Sequence, residues 1–315
     1  MNTQLDRSHR SRANQLSALI LCSLMVTVIG HVSLARAQNT STTPAEWKPV
    51  EEALGKTGSM QPGNVFKVGL PRNDLAVSVS GVSINPVLAL GSWVGFKKMG
   101  TEAVVMGDLV LTEAEVEPVM WSLQESGIEQ TALHNHVLDE APRVMYMHIH
   151  GHGDAVKLAA AIHRALSYTK TPFTQPTTGV NKSQAAGVDF PQIERLLGRT
   201  GKDNNGVYQF SVARAEKISD GEMEVPPAMG VATAINFQPT GGGRAAITGD
   251  FVLVASEVNP AIRALRENGI AVTAIHSHML TESPRLFFMH FWANGDALKL
   301  ARGLRAALDK TNSAK

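Results

Sequence analysis

Histidines dominate the polar chemistry of this chain, and they come in a pattern written twice. Five of the eleven stand in "ALHNHVLDEAPRVMYMHIHGHGDA" (Ala132–Ala155), and three recur in "AIHSHMLTESPRLFFMHFWANGDA" (Ala274–Ala297). Residues two apart on a strand face the same side, so His134 and His136 share a face, as do His148, His150 and His152. A hairpin folded about Pro142 sets His136 opposite His148 and His134 opposite His150, with Cβ atoms about 5 Å apart. Folding about Pro284 sets His278 opposite His290 and His276 opposite Trp292. Each copy thus offers an H-x-H pair and a third histidine on the partner strand. The candidate metal ligands are His134, His136, His148, His150, His276, His278 and His290.

Three neutral imidazoles aimed at one point suit a divalent transition metal: Zn, Mn, Fe, Cu or Ni. Glu140 and Glu282 follow the H-x-H by four residues in both copies, and they are the candidate catalytic acid/bases. Trp292 is not a metal ligand but can wall a pocket. Copy one is therefore expected to hold metal more tightly, and copy two to act more as a pocket. Metal affinity is expected to fall as pH drops through about 6.5, the ordinary histidine value. The alternative reading is a polar sheet face in water. Met145, Met147 and Met289 have the opposite parity and belong to the core, so thioether ligation is not favoured.

The other shared polar residues have local explanations. Asp154 and Asp296 are helix N-caps. Thr112 and Glu115 form a T-x-x-E capping box. In copy two Val254 takes the place of the threonine, yet Glu257 remains. Arg143 and Arg285 are expected to pair with their own loop glutamates.

These residues sit on repeated elements. "GDLVLTEAEVEPVMWSLQESGIEQTALHNHV" (Gly107–Val137) aligns without a gap on "GDFVLVASEVNPAIRALRENGIAVTAIHSHM" (Gly249–Met279). A weaker match reaches back to "LGKTG" (Leu54–Gly58) and "LGRTG" (Leu197–Gly201). Each copy reads as an opening helix near Pro49–Leu54, β-rich segments including "VFKVGL" and "LALGSWVGF", and then β-α-β-β-α. The helix after "AVVMGDLVL" is expected from about Val116 to Glu125, ended by Gly127. The expected class is α+β: two tandem repeats, each a mainly antiparallel sheet with a β-α-β-β-α core. Repeat 1 is placed at 38–170, a Thr/Pro/Ser-rich linker at 171–187 and repeat 2 at 188–315.

The start of the chain reads as a signal peptide over 1–37: basic "RSHRSR", apolar "LSALILCSLMVTVIGHVSL", then "ARA" before Gln38. The one cysteine, Cys22, lies inside the apolar run after Leu21, which is not a lipidation pattern. Removing the leader takes the formal net charge from +1 to about −2. With no basic stripe and few aromatics, nucleic acid is not an expected partner. No second run is apolar enough to span a bilayer, so no stable membrane insertion is expected after cleavage. The expected location is the periplasm or the medium.

The two histidine segments and "GDFVL…EVNP…RALRENGI" resemble the LppY/LpqO family of bacterial exported proteins and lipoproteins. The resemblance spans most of the chain after the leader. It implies no activity, because that family is known chiefly as a domain of unknown function. It carries no membrane anchor over either, because a usable lipobox is missing. Three functions compete. One is an exported metal-dependent enzyme of hydrolase or lyase type; a metal with an open position polarises a carbonyl or generates hydroxide. The others are a non-catalytic periplasmic metal-binding protein, and an envelope interaction protein. A small molecule or envelope component is the expected partner. No P-loop, dinucleotide fingerprint or nucleophile elbow is present.

Overall fold

The computed structural model describes residues 43–173 and 187–314. The leader expected over 1–37, and most of the linker expected over 171–187, lie outside the described residues.

Copy one contains α1 (Lys48–Leu54), β1 (Ser59–Gln61), β2 (Val65–Pro71), β3 (Ser78–Val79), β4 (Val82–Ser83), α2 (Pro86–Ala89), β5 (Gly91–Met99) and β6 (Glu102–Thr112). It continues with α3 (Glu113–Gln124), β7 (Glu129–His134), β8 (Glu140–Ala141), β9 (Val144–Gly153) and α4 (Ala155–Leu166). Copy two runs α5 (Phe190–Leu197), β10 (Lys202–Asn204), β11 (Val207–Ala213), β12 (Ser219–Asp220), β13 (Met223–Glu224), a 3₁₀ turn (Pro227–Met229), β14 (Ala232–Gly241) and β15 (Arg244–Leu253). Then come α6 (Ala255–Glu267), β16 (Ala271–His276), β17 (Glu282–Ser283), β18 (Phe287–Asp296) and α7 (Ala297–Leu308).

The α+β class and the tandem repeat are both present. Each copy has a six-stranded antiparallel sheet, ordered β1-β2-β5-β6-β9-β7 in one and β10-β11-β14-β15-β18-β16 in the other. Each also has a small three-stranded sheet, β4-β3-β8 or β13-β12-β17. One reading of the meander needs correction. Leu88 and Ala89 are not strand but the end of α2, with Leu90 its cap and Gly91 the start of β5: Asn85 accepts from Val87 N at 3.0 Å and Pro86 opens the helix. An N-cap followed by proline outweighs the apolar run behind it.

Strand alternation assigns the two faces of each sheet. On β6, Val105, Leu109 and Leu111 pack with the helices, as do Met147 and Ile149 on β9. The opposite residues of β6, Val104 and Met106, pack into a core built mostly from copy two, with Met229, Leu286 and Phe288. A counterpart core joins Val77, Val144 and Tyr146 of copy one to Val207 and Ala246 of copy two. The face that carries the histidines is thus covered by the other copy, and the reading of it as a water-facing surface is overturned.

Each copy also sends an arm across the junction. Asn85 N donates to Gln238 Oε1 at 2.8 Å, and Gln238 Nε2 donates back to Ser83 O at 2.8 Å. Lys67 Nζ donates to Ala228 O at 3.0 Å. Its counterpart, Gln209 Nε2, donates to Val87 O at 3.4 Å. Matching bonds at matching positions relate the copies by a pseudo-two-fold axis.

Buried arginines explain the glutamates at the helix starts. Arg72 Nη1 and Nη2 donate to Glu115 at 2.7 and 3.1 Å, its Nε and Nη2 reach Asp74, and Nη1 reaches Val110 O. Arg214 repeats this with Glu257, Glu216 and Val252 O. Glu257 therefore stays without a threonine cap because Arg214 needs it.

Candidate metal centre

His134 and His276 end the edge strands β7 and β16, and their rings stack across the copies with centroids 3.5 Å apart. His148 lies 3.8 Å from His278, and His136 lies 3.8 Å from His290, again between copies. The six rings thus form one cluster on the pseudo-two-fold axis. Tyr146 stacks on His136 at 3.2 Å, and Phe288 on His278 at 3.4 Å, closing the two ends.

The polar atoms of this cluster are unusual. All six Nε2 atoms are buried and have no hydrogen-bond partner. A carbonyl only accepts, so a ring nitrogen beside one must carry the proton. His134 Nδ1 lies 3.0 Å from Asn135 O, His276 Nδ1 3.2 Å from Ser277 O, His278 Nδ1 3.0 Å from Gly230 O and His290 Nδ1 2.8 Å from Gly249 O. These four rings therefore hold a bare Nε2 lone pair toward the centre. Orphaned buried nitrogens are costly. A metal ion is the partner that suits neutral imidazoles with outer hydrogen bonds to fix the tautomer. Ligand atoms of His134, His276 and His290 all lie within 4.8 Å of one another, and so do those of His148, His276 and His278.

Two carboxylates join the histidines. Asp108 stands opposite His148 in the β6–β9 register, and Asp250 opposite His290 in β15–β18. Asp108 Oδ2 is 3.6 Å from His136 Nε2, and Asp250 Oδ2 is 3.1 Å from His278 Nε2. The Oδ1 atom of each is buried and unpartnered. Burial and the neighbouring Asp250 push the Asp108 carboxyl well up. For Asp250 burial acts the same way, but His290 and His278 outweigh it and hold the carboxyl low. The preceding glycines have a structural reason. A Cβ on Gly249 would collide with Ala234 O, and one on Gly107 would come within 2.7 Å of Trp93 O. The "GD" of both copies thus combines close strand approach with a carboxylate aimed at the centre. These aspartates were legible only as part of the repeated block, since their pairing with β9 and β18 crosses a whole helix.

Several expectations change at this level. The hairpin register is His134 opposite Tyr146 and Ala132 opposite His148, with an irregularity between Gln130 and Ala132. It is not the register folded about Pro142, because Glu140–Ala141 leaves to pair with β3 and lengthens the loop. His136 lies beyond the end of β7, yet its ring still reaches the cluster. His150 stands apart from the six, between Glu129 at 3.6 Å and Asp220 at 3.7 Å. His152 is exposed beside Glu102. Trp292 faces Ala271, not His276, and packs into the core that joins the copies. The division into a metal copy and a pocket copy is therefore not what the geometry shows, since each convergent group draws on both.

Glu140 and Glu282 clasp their own turns. Glu140 Oε1 accepts from Val144 N at 3.2 Å, while Oε2 is buried without a partner. Burial pushes this carboxyl up to about 7. Glu282 accepts from Leu286 N at 2.9 Å and from Arg285 Nη1 at 3.2 Å, as expected of the loop arginine. Arg143 instead lies 3.8 Å from Glu113. One asymmetry matters for the centre. Lys67 lies over the Trp93 ring at 3.7 Å within the field of Asp108, and burial brings its ammonium down to about 8.

Burial also changes the expected pH response. It holds His134 down to about 3 and His276 to about 2, and lowers His136, His148 and His290 as well. Protons therefore do not compete for these five folded rings near 6.5. The unfolded chain does take up protons there. The metal-free protein is thus fully stable above pH 6.5 and loses stability as pH falls through the window from about 6.5 to 3. At pH 5 His134 and His276 together cost about 2–4 kcal/mol, roughly 5–10 °C in Tm. Metal content measured after equilibration at pH 7 and pH 5 should agree within a few-fold. A tenfold loss centred on pH 6.5 would show solvated histidines instead.

No helix among the described residues is long and apolar enough to cross a membrane. The family model described as Domain of Unknown Function (DUF1259) matches residues 48–168 and again 191–310, so the chain belongs to that family in two tandem copies. No curated protein matches it. Among solved structures it is similar to a trimeric bacterial microcompartment shell protein, PduB, at 11% identity and a TM-score of 0.21, with 83% of this chain and 97% of that one covered. It is also similar to EtuB from Clostridium kluyveri, at 10% identity and a TM-score of 0.19, with 81% and 90% covered.

Proposed function

We propose, for a chain that carries this domain of unknown function twice, that it is a metal-binding protein whose centre is built by both copies together. The observation that carries this is the set of six buried, unpartnered Nε2 atoms facing one another across the pseudo-two-fold axis. Zn, Mn, Fe, Cu and Ni all suit imidazole with carboxylate. Such an ion supplies Lewis acidity when bound. The test is metal analysis of untagged protein, stripped with chelator and then supplied with each of the five ions in turn. At least one ion per chain and a raised Tm are expected. Failure of all five to bind at neutral pH would overturn the reading and favour an envelope interaction protein.

A second reading, a metal-dependent hydrolase or lyase, is favoured by Glu140. Its buried, unpartnered oxygen and its carboxyl held near 7 suit an acid/base, and its charge is felt at Tyr146, which stacks on His136. Azide added to the Co(II)-loaded protein separates the readings. A shifted visible spectrum marks an open ligand position that a small-molecule substrate can use, and an unmoved one marks a closed, non-catalytic centre.

The leader pattern supports export to the periplasm or medium, and the histidine segments support a place in the LppY/LpqO family. N-terminal sequencing of the exported form should begin at Gln38; a chain still starting at Met1 in the membrane fraction would count against export.

A further inference from the structure

We infer that the centre holds two metal ions with exchanged ligands: His276 and His278 with His148, and His134 and His136 with His290. Asp250 and Asp108 are the adjoining carboxylate ligands. Each H-x-H pair thus borrows its third histidine from the other copy. The inference rests on the metal reading above.

The two convergent groups, His148/His276/His278 and His134/His276/His290, overlap at His276. His276 Nδ1 is committed to Ser277 O, and one bare Nε2 serves one ion, so both groups cannot be filled as they stand. The pseudo-two-fold resolves the overlap. It relates His134 to His276, His136 to His278 and His148 to His290. The mate of His148/His276/His278 is therefore His290/His134/His136. Ring separations agree. In the first set they are 3.8 Å for 148–278, 5.0 Å for 276–278 and 5.7 Å for 148–276. In the second they are 3.8 Å for 136–290, 5.2 Å for 134–136 and 5.3 Å for 134–290. The nearest histidine ring to each third histidine belongs to the second histidine of the other copy's H-x-H. Reciprocal bonds hold that second residue. Thr131 Oγ1 donates to His278 O at 2.6 Å, and Thr273 Oγ1 donates to His136 O.

The aspartates, unlike the third histidines, stay with the H-x-H pair of their own copy. Asp250 Oδ2 lies 3.1 Å from His278 Nε2, and Asp108 Oδ2 lies 3.6 Å from His136 Nε2. Each keeps a buried, unpartnered Oδ1. Two divalent ions among neutral imidazoles would bury four positive charges. One carboxylate beside each ion offsets half of them, which a buried site needs.

Stoichiometry and paired substitutions test this on the untagged full chain, titrated with Zn(II) and assayed by elemental analysis. Wild type is expected to bind two ions. The double variant His148→Ala/His278→Ala removes two ligands of one ion and should keep one. His148→Ala/His134→Ala strikes both ions and should leave neither at wild-type affinity, each about 10²-fold weaker. Ligand sets confined to single copies would give the reverse pattern, and that result, or one ion in wild type, would overturn the inference while leaving metal binding intact. No metal in wild type would bring down the metal reading itself. Circular dichroism of the metal-free forms reports folding. Should a double variant fail to fold, the same two pairs made with glutamine in place of alanine keep most of the side-chain volume and give the same reading: His148→Gln/His278→Gln should spare one ion, and His148→Gln/His134→Gln should weaken both. The opposite pattern would overturn the assignment.

Discussion

Replacing His134 and His276 together by alanine is expected to weaken the hold of the centre on metal about 10²-fold. These rings stack at 3.5 Å on the axis between the copies, and every ligand grouping of the cluster includes at least one of them. A structural zinc site with four ligands is worth about 10–16 kcal/mol, so one lost ligand costs roughly 3 kcal/mol, on the order of 10²-fold in Kd. Metal at a thousandfold excess over Kd stabilises the folded state by about 4 kcal/mol, and the variant forfeits most of that. The loss should appear only with metal present. In chelator, removing two orphaned nitrogens offsets part of the packing lost, so the metal-free forms should melt within a few degrees of each other. Thermal melts with and without Zn(II) read both arms. A variant that still gains the full wild-type Tm shift would show that the ion binds elsewhere.

Arg72→Ala is expected to be the most damaging single substitution outside the centre. The guanidinium is fully buried and donates to Glu115, Asp74 and the Val110 carbonyl at once. Truncation leaves Glu115 ionised and without its partner, which costs about 3–5 kcal/mol. Arg214→Ala should cost a similar amount, because Glu257, Glu216 and Val252 O repeat the arrangement. Arg72→Lys recovers only part of the loss, since an ammonium cannot make both bidentate contacts. Urea unfolding measures the difference. A midpoint within about 1 kcal/mol of wild type would mean that water replaces the arginine.

The gapless repeat, the order β-α-β-β-α and the helix caps at Asp154 and Asp296 were readable because each rests on local signals: spacing, parity and capping chemistry. Parity also placed Met147 and Met289 in the cores. The register of β7 on β9 was not readable. It depends on Glu140–Ala141 pairing with β3, far away in the chain. Asp108 and Asp250 stayed hidden for the same reason, since only the β6–β9 and β15–β18 pairings bring them to the histidines. Nor did either copy's sequence show that its histidine face would be covered by the other copy. The thinning of histidines in copy two has a plain geometric basis. His150 and His152 lie outside the six-ring cluster, so Trp292 and Asn294 replace nothing the centre uses.

Fusion of the two copies frees them from identity. A dimer of identical chains must repeat any residue on both sides of its axis, whereas here Lys67 and Trp93 occur on one side, and Gln209 takes the lysine's place on the other. A cation arriving beside Asp250 would meet a carboxylate with no ammonium at the matching position, which Gln209 fills. One arriving beside Asp108 would also meet the half-buried ammonium of Lys67. On Coulomb's law the second arrival would be the harder, so under the two-ion proposal the Asp250 half is expected to fill first, an order that a symmetric pair could not set.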